Sequence, residues 1–262
     1  MLNDKVAIVT GASRGLGFEI SKKFAERGAK VIMCSRSKTN LEKSASMIKG
    51  RVYPETMDVT NVHRIRDLVH HIFEMQGRID ILVNNAGYPF DRNIWTKRFH
   101  EVAEEYFDRI IDVDLKGAFR LSQAVIPFMI KDGERSIKAA NEGRGYGGVI
   151  INIASTPAIS GFTLGAPYSI AKAGVIAMTK HLALEYGDKN IRAYTLALGN
   201  ISTEATFGSM TLTERKKAAM ENSMKRWGDP AEVANIAASL ATEDFAFATG
   251  NTIIIDGGTV MQ

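Results

Sequence analysis

The chain has 262 residues, 45% of them hydrophobic, with 33 basic against 29 acidic residues and a formal net charge of +4. The basic residues are scattered, which argues against a nucleic-acid surface and leaves room for a small anionic ligand. A single cysteine, Cys34, excludes an internal disulfide; no apolar run reaches membrane-spanning length and the N-terminus does not read as a signal peptide, so a cytoplasmic protein is expected.

Residues 6–9 form a short apolar run and read as a buried strand. The run leads into Thr10-Gly11-Ala12-Ser13-Arg14-Gly15-Leu16-Gly17. A helical pattern carrying Phe18, Ile20, Phe24 and Ala25 follows and stops at Gly28. Strand, glycine turn and helix make a cradle in which backbone N–H groups and a helix N-terminus face an anion. The spacing is G-x-x-x-G-x-G, not the commoner G-x-G-x-x-G. Residues 30–34 are the second strand, followed by Ser35-Arg36-Ser37, where a nicotinamide dinucleotide places its adenosine ribose. An acid there accepts from a free 2′-hydroxyl. An arginine with hydroxyls suits a 2′-phosphate, toward which Arg14 is also placed.

Residues 41–48 read as a helix and 52–57 as a third strand carrying Pro54. Asp58-Val59-Thr60 follows; an aspartate just beyond a strand accepts from an adenine amino group or caps the next helix. That helix spans 61–76 and closes at Gly77. His63, His70 and His71 lie on it without a carboxylate–histidine cluster, so surface histidines are expected and no metal. Residues 79–83 form a fourth strand, ending in Asn84-Asn85-Ala86-Gly87. Four strands alternating with helices predict a parallel, doubly wound sheet. Residues 99–111 and 113–130 read as helices, the second apolar on most faces, as at a subunit interface. The polar, glycine-rich stretch 132–148 predicts a surface loop, and 149–153 a fifth strand that delivers Ser155.

Residues 167–186 predict a helix bearing Tyr168 and Lys172, which then project from one face one turn apart. An ammonium beside a phenol favours the phenolate. Bringing a phenol from its ordinary pKa of about 10 to about 7 takes roughly 4 kcal/mol, of which a neighbouring cation supplies part. Such a group donates and accepts protons near neutral pH, and a serine on the same reacting oxygen holds it by a hydrogen bond. Residues 191–196 are a sixth strand. Gly199, Ile201 and Thr203 lead into a segment at about 200–227 whose Phe207, Met210, Leu212, Met220 and Met224 either wall a substrate pocket or pack the segment down. Asp229-Pro230 starts a helix to about residue 241, and 252–255 is a seventh strand, closed by Asp256-Gly257-Gly258. No repeat, linker or composition break intervenes. The fold predicted is α/β, a doubly wound, Rossmann-like, parallel seven-stranded sheet, with residues 1–262 as one domain.

In this order and spacing, T-G-A-S-R-G-L-G at residues 10–17, D-V at 58–59, N-N-A-G at 84–87, Ser155, Y-S-I-A-K at 168–172, G-N-I-S-T at 199–203 and I-D-G-G at 255–258 resemble the short-chain dehydrogenase/reductase family along essentially the whole chain. The resemblance implies that Tyr168 is general acid in ketone reduction and general base in alcohol oxidation. It implies that Lys172 lowers the phenol's pKa and holds the nicotinamide ribose, and that Ser155 fixes the substrate oxygen. By the same resemblance the cofactor is held by Gly11, Ser13, Arg14, Gly15, Leu16, Gly17, Ser35, Arg36, Asp58, Val59, Asn85, Ala86, Gly87, Tyr168 and Lys172, with Ile201 and Thr203 on the nicotinamide carboxamide. The hydride chemistry is the cofactor's; the protein orients and polarises.

The family resembled usually has Asn where this chain has Asp114, holding a water in a relay that reaches the lysine; Asp114 is therefore counted among the catalytic positions. It also usually has Pro-Gly where this chain has Leu198-Gly199, which predicts a looser turn under the nicotinamide. The expectation is an NADP(H)-dependent ketone reductase, preferring it over NAD(H), most like 3-oxoacyl-thioester reductases of carrier-protein or coenzyme A type, and a homotetramer with a small-molecule substrate and no nucleic acid or membrane partner. The alternatives are a sugar, polyol or other secondary-alcohol dehydrogenase, and a cofactor-binding protein with little catalysis.

Overall fold

The computed structural model describes residues 1–140, 147–208 and 210–261. Strands β1 (Val6–Thr10), β2 (Lys30–Ser35), β3 (Arg51–Thr56), β4 (Ile81–Asn84), β5 (Gly148–Ser155), β6 (Ile191–Leu198) and β7 (Thr252–Ile255) form one parallel sheet ordered β3-β2-β1-β4-β5-β6-β7. The connecting helices are α1 (Gly15–Glu26), α2 (Lys38–Ser46), α3 (Val62–Gln76), α4 (Arg92–Trp95), α5 (Glu104–Ile111), α6 (Gly117–Ala140), α7 (Pro157–Ser160), α8 (Ala166–Tyr186), α9 (Glu204–Gly208), α10 (Leu212–Ala219) and α11 (Pro230–Leu240). From β1 the chain winds outward to β3, then returns to the other side of β1 as β4. Strand order reverses there, and the carboxyl ends of β1 and β4 open a crevice suited to a ligand.

Alternation along each strand divides the core. Ala7 and Val9 of β1 face Ile20 and Phe24 of α1 and Val233 and Ala237 of α11. Val6 and Ile8 face Ile65 and Leu68 of α3 and Leu121 and Val125 of α6. Strands buried on both faces lack a polar side, which is why they read as continuous apolar runs. The exception is β3, at the sheet edge, where Pro54 pairs with Met33 and costs no interior ladder bond.

Several boundaries differ from the sequence reading. The predicted helix 99–111 is two pieces: a single turn at Phe99–Glu101, then α5, because Val102 is extended (φ −74°, ψ 118°). The predicted break between 111 and 113 is absent. Ile111 and Gly117 both have right-handed helical dihedrals, and a π-helical segment, Asp112–Lys116, joins α5 to α6. Residues 132–140 of the expected loop continue α6, and its part at 141–146 lies outside the described residues. The segment after β6 carries α9 and α10, the latter started by a reciprocal Thr211–Glu214 capping box. Finally, β6 runs on through Leu198, which is in register with Ser155 and Ile255. Leucine there keeps the N–H that a proline would lack, and the residue stays within the strand.

Candidate active site

The glycine turn after β1 is locked to the end of β4. Thr10 Oγ1 accepts from the backbone N–H groups of Asn85 (3.0 Å) and Ala86 (2.9 Å), and Asn85 Nδ2 donates to the Thr10 carbonyl (2.8 Å). Gly11 is left-handed (φ +65°), and a Cβ on it would lie 2.9 Å from Asn85 Nδ2. A Cβ on Gly17 would collide with the Gly11 carbonyl oxygen. The turn thus presses backbone against backbone, as only glycine allows. Arg14, the N-cap of α1, makes no side-chain cap, so the first N–H groups of this twelve-residue helix have no side-chain acceptor.

This turn opens into a cleft of about 1590 Å³ that runs over the carboxyl ends of the sheet. At one end Ser35, Arg36, Ser13 and Arg14 line it, with both arginines exposed. Ser44 Oγ on α2 donates to the Ser13 carbonyl at 2.6 Å and fixes the turn from the side. Lys43 lines the same end and was missed; on a polar helix such as α2 a lysine reads as solvated surface. Asp58 faces the cleft, with Oδ1 accepting from the N–H (2.9 Å) and hydroxyl (2.8 Å) of Thr60, while Asn61, not Asp58, caps α3. Gly15 and Leu16, Val59, and Ala86 and Gly87 complete this lining.

At the other end stand Ser155, Tyr168 and Lys172. Ser155 ends β5, its Oγ donating to the Leu198 carbonyl at 3.2 Å. Tyr168 and Lys172 lie one turn apart on α8, with Nζ 5.6 Å from the phenol ring centroid. Lys172 is buried and donates to the Ile153 carbonyl at 3.1 Å.

Asp114 departs from expectation. A water between it and the lysine was expected; instead its buried carboxylate lies directly on the ammonium, Oδ2 to Nζ 3.2 Å. Oδ1 accepts from the Tyr88 N–H at 2.6 Å. Oδ2 makes no hydrogen bond of acceptable angle, so its contact with Nζ is ionic. Burial, the largest influence, disfavours the Lys172 ammonium, but the Asp114 charge works against it and the lysine is held above its ordinary range. The π-helical segment presents this carboxylate inward, a local irregularity of the kind found at functional sites.

Two expected cofactor residues do not line the cleft. Gly17 is buried beneath the turn. Ile201 is 7% exposed, bridges to Gly228 and packs in the core with β6. Its neighbour Thr203 does reach the cleft, its side chain against Gly15 and its hydroxyl capping α9 by accepting from the Thr206 N–H at 3.2 Å. No sequence signal marks the aromatic side: Trp95, in a stretch with no period, lies against Tyr168, and Phe90 against Trp95. Among the described residues no group of three or more His, Cys, Asp or Glu is placed to hold a metal. His70 instead pairs with Glu74 on an exposed face.

The residues present fit a nicotinamide dinucleotide. The glycine cradle leaves no room for a Cβ at Gly11 or Gly17, and the open N-terminus of α1 faces the cleft that also holds the Tyr168–Lys172 pair. Comparison with known proteins agrees. A family model described as enoyl-(acyl carrier protein) reductase matches residues 11–260. A 3-oxoacyl-(acyl-carrier-protein) reductase from Thermotoga maritima is 36% identical over 99% of both chains. A 7alpha-hydroxysteroid dehydrogenase from Bacteroides fragilis is 32% identical over 99% of this chain and 95% of its own. A crystal structure of a short chain dehydrogenase from Bacillus anthracis superposes with a TM-score of 0.84 at 31% identity, over 100% of this chain and 99% of that one. This chain therefore belongs to the short-chain dehydrogenase/reductase family of oxidoreductases, enzymes of the alcohol–ketone pair.

Proposed function

We propose that this protein is an NADPH-dependent reductase that converts a ketone to a secondary alcohol, with 3-oxoacyl thioesters as its leading substrate class. The observation that carries the reading is the grouping of Ser155, Tyr168 and Lys172 at one end of a cleft whose other end is a glycine cradle with Arg14 and Arg36 beside it. When bound, a reduced nicotinamide supplies the hydride. The chain supplies the proton. Tyr168 gives its hydroxyl proton to the substrate oxygen, and the buried Lys172 ammonium steadies the phenolate left behind. Ser155 turns its hydroxyl from the Leu198 carbonyl to the substrate oxygen and holds it in line. Arg14 and Arg36, with Ser35, favour a 2′-phosphate.

In this reading residues 1–262 act as one cytoplasmic catalytic unit that assembles as a homo-oligomer, with 200–227 on the substrate side. A second reading, another secondary-alcohol dehydrogenase with a ring-shaped substrate, draws on Trp95 against Tyr168, with Phe90 against Trp95, and on the relative named for a hydroxysteroid.

The test is NADPH oxidation with acetoacetyl thioesters, diketones and ring ketones. Charge-assisted bonds to a phosphate, at about 1.5–3 kcal/mol each, predict kcat/KM at least tens-fold higher with NADPH than NADH, with Arg36→Asp erasing the difference. Tyr168→Phe should cost about 100-fold or more. Equal kcat/KM with both cofactors would overturn the cofactor assignment. Cofactor binding without turnover of any ketone would leave the non-catalytic alternative standing.

A further inference from the structure

Helix α4 has four residues, and Ile94 seats it in the core. Ile94 is 1% exposed and packs with Ile110 of α5 and Ala171 of α8, against partly buried Tyr88, Tyr106 and Tyr168. The Trp95 indole lies tilted on the Tyr168 ring, centroids 4.7 Å apart at 49°. Its six-membered ring also presses on bare backbone: Gly165, the left-handed N-cap of α8 (φ +69°), would place a Cβ 2.5 Å from Trp95 Cε3. Phe90 stands 5.4 Å from the indole on another side.

This tryptophan does not fill the core. It is half-buried and lines the cleft beside Ser155 and Tyr168, next to Tyr88, Pro89 and Phe90, with the exposed Phe162 nearby on the same lining. The chain's other tryptophan, Trp227, is tied down, donating from Nε1 to the Arg215 carbonyl at 2.9 Å and meeting Phe207 edge-on. The part of the indole open to the cleft, beside Tyr168, offers an apolar ring surface close to where the proposed ketone carbonyl would bind.

We propose that Trp95 is the specificity-determining residue of this cleft, a platform for a flat apolar ring carried next to the carbonyl of the ketone. This rests on the second reading above, a secondary-alcohol dehydrogenase of this family with a ring-shaped substrate. Stacking and burial of one ring on such a platform are worth about tenfold to a hundredfold in binding.

The test compares 1-tetralone with 2,3-butanedione, which has no ring to stack, under saturating NADPH. Trp95→Ala should lower kcat/KM for 1-tetralone about ten- to a hundredfold more than for butanedione, chiefly through KM. Trp95→Phe, which keeps a ring, should restore most of that difference. In a Trp227→Phe background, where indole emission comes from Trp95 alone, 1-tetralone should alter the emission and butanedione should not. Equal losses for both ketones in kcat would overturn the proposal and make Trp95 a residue that only positions Tyr168. Turnover of thioesters but not of 1-tetralone by the unmutated chain would overturn it too. Failure to turn over any ketone would overturn the reductase reading and the platform with it.

Discussion

Asp114 and Lys172 form a buried ion pair at 3.2 Å, with Lys172 one turn from Tyr168, the proposed proton donor. Pairing satisfies both charges but also blunts the ammonium's field at the phenol. A unit charge about 8 Å away at an effective dielectric of about 20 is worth roughly 2 kcal/mol, so a displacement of about one to two pH units is expected when it is removed. The sign follows from charge: without the carboxylate, the phenolate is easier to form. Alcohol oxidation needs that phenolate as base. Asp114→Asn should therefore move the acidic limb of log kcat against pH to lower pH, by about one to two units, with chemistry confirmed as rate-limiting by a deuterated substrate. The amide can still accept from the Tyr88 N–H, so catalysis should survive. A limb displaced to higher pH would refute the electrostatic argument. An unmoved limb would mean that the pair is silent in catalysis. The identity of Asp114 was legible from the resemblance, but its direct contact was not. No spacing rule reaches across the 58 positions to Lys172, and the π-helical turn that aims it has no sequence signature.

At the scale of elements, a buried polar ladder ties the strands that present the site. Asn84 of β4 donates from Nδ2 to Asn152 Oδ1 of β5 (2.8 Å) and to Ser122 Oγ of α6 (3.1 Å). Asn152 Nδ2 donates to Thr179 Oγ1 of α8 (2.8 Å), which also accepts from Thr195 Oγ1 of β6 (2.7 Å). All five residues are buried, and Asn84, Asn152 and Thr195 stand in register across the sheet. Asn152→Ala removes the central rung, and with it one bond of Asn84 Nδ2 and one of the Thr179 hydroxyl, while Asn84 keeps Ser122 and Thr179 keeps Thr195 and the Val175 carbonyl. Each lost buried bond costs about 0.5–1.5 kcal/mol and the vacated volume adds about 1 kcal/mol, so unfolding free energy should fall by about 2–4 kcal/mol in urea titrations with an unchanged m-value. A loss under about 0.5 kcal/mol would mean the ladder repacks without strain. The strands themselves were legible because their apolar runs and glycine ends are local signals. The ladder was not: an Asn inside a strand reads only as a weak β-former, and its partners lie up to 68 positions away. The helix ends at 111 and 130 were misplaced for a related reason. Polar D-G-E-R-S resembles a loop, yet helical propensity carries α6 on to Ala140.

Across the whole molecule, α6 and α8 cover the same face of the sheet through Leu121, Val125, Leu182 and Ala183. Their other sides are not uniformly polar. Phe119 of α6 is 54% exposed and Leu184 of α8 is 87% exposed. Exposed large apolar side chains on the two helices that cover this face suit a self-complementary contact between copies of the chain. The apolar character of residues 113–130 in the sequence points the same way. Sedimentation at micromolar concentration should therefore give a species heavier than the 28.7 kDa chain, with a tetramer expected. Phe119→Lys combined with Leu184→Lys should shift the population toward monomer. Neither side chain lines the cleft, so any loss of activity in that variant should follow its dissociation and recover as protein concentration rises. A fully active monomer of the unmutated chain at micromolar concentration would overturn the assembly. An intact oligomer in the double variant would move the interface to another face, with the strongly exposed Phe247 near the start of β7 as the next apolar position to charge.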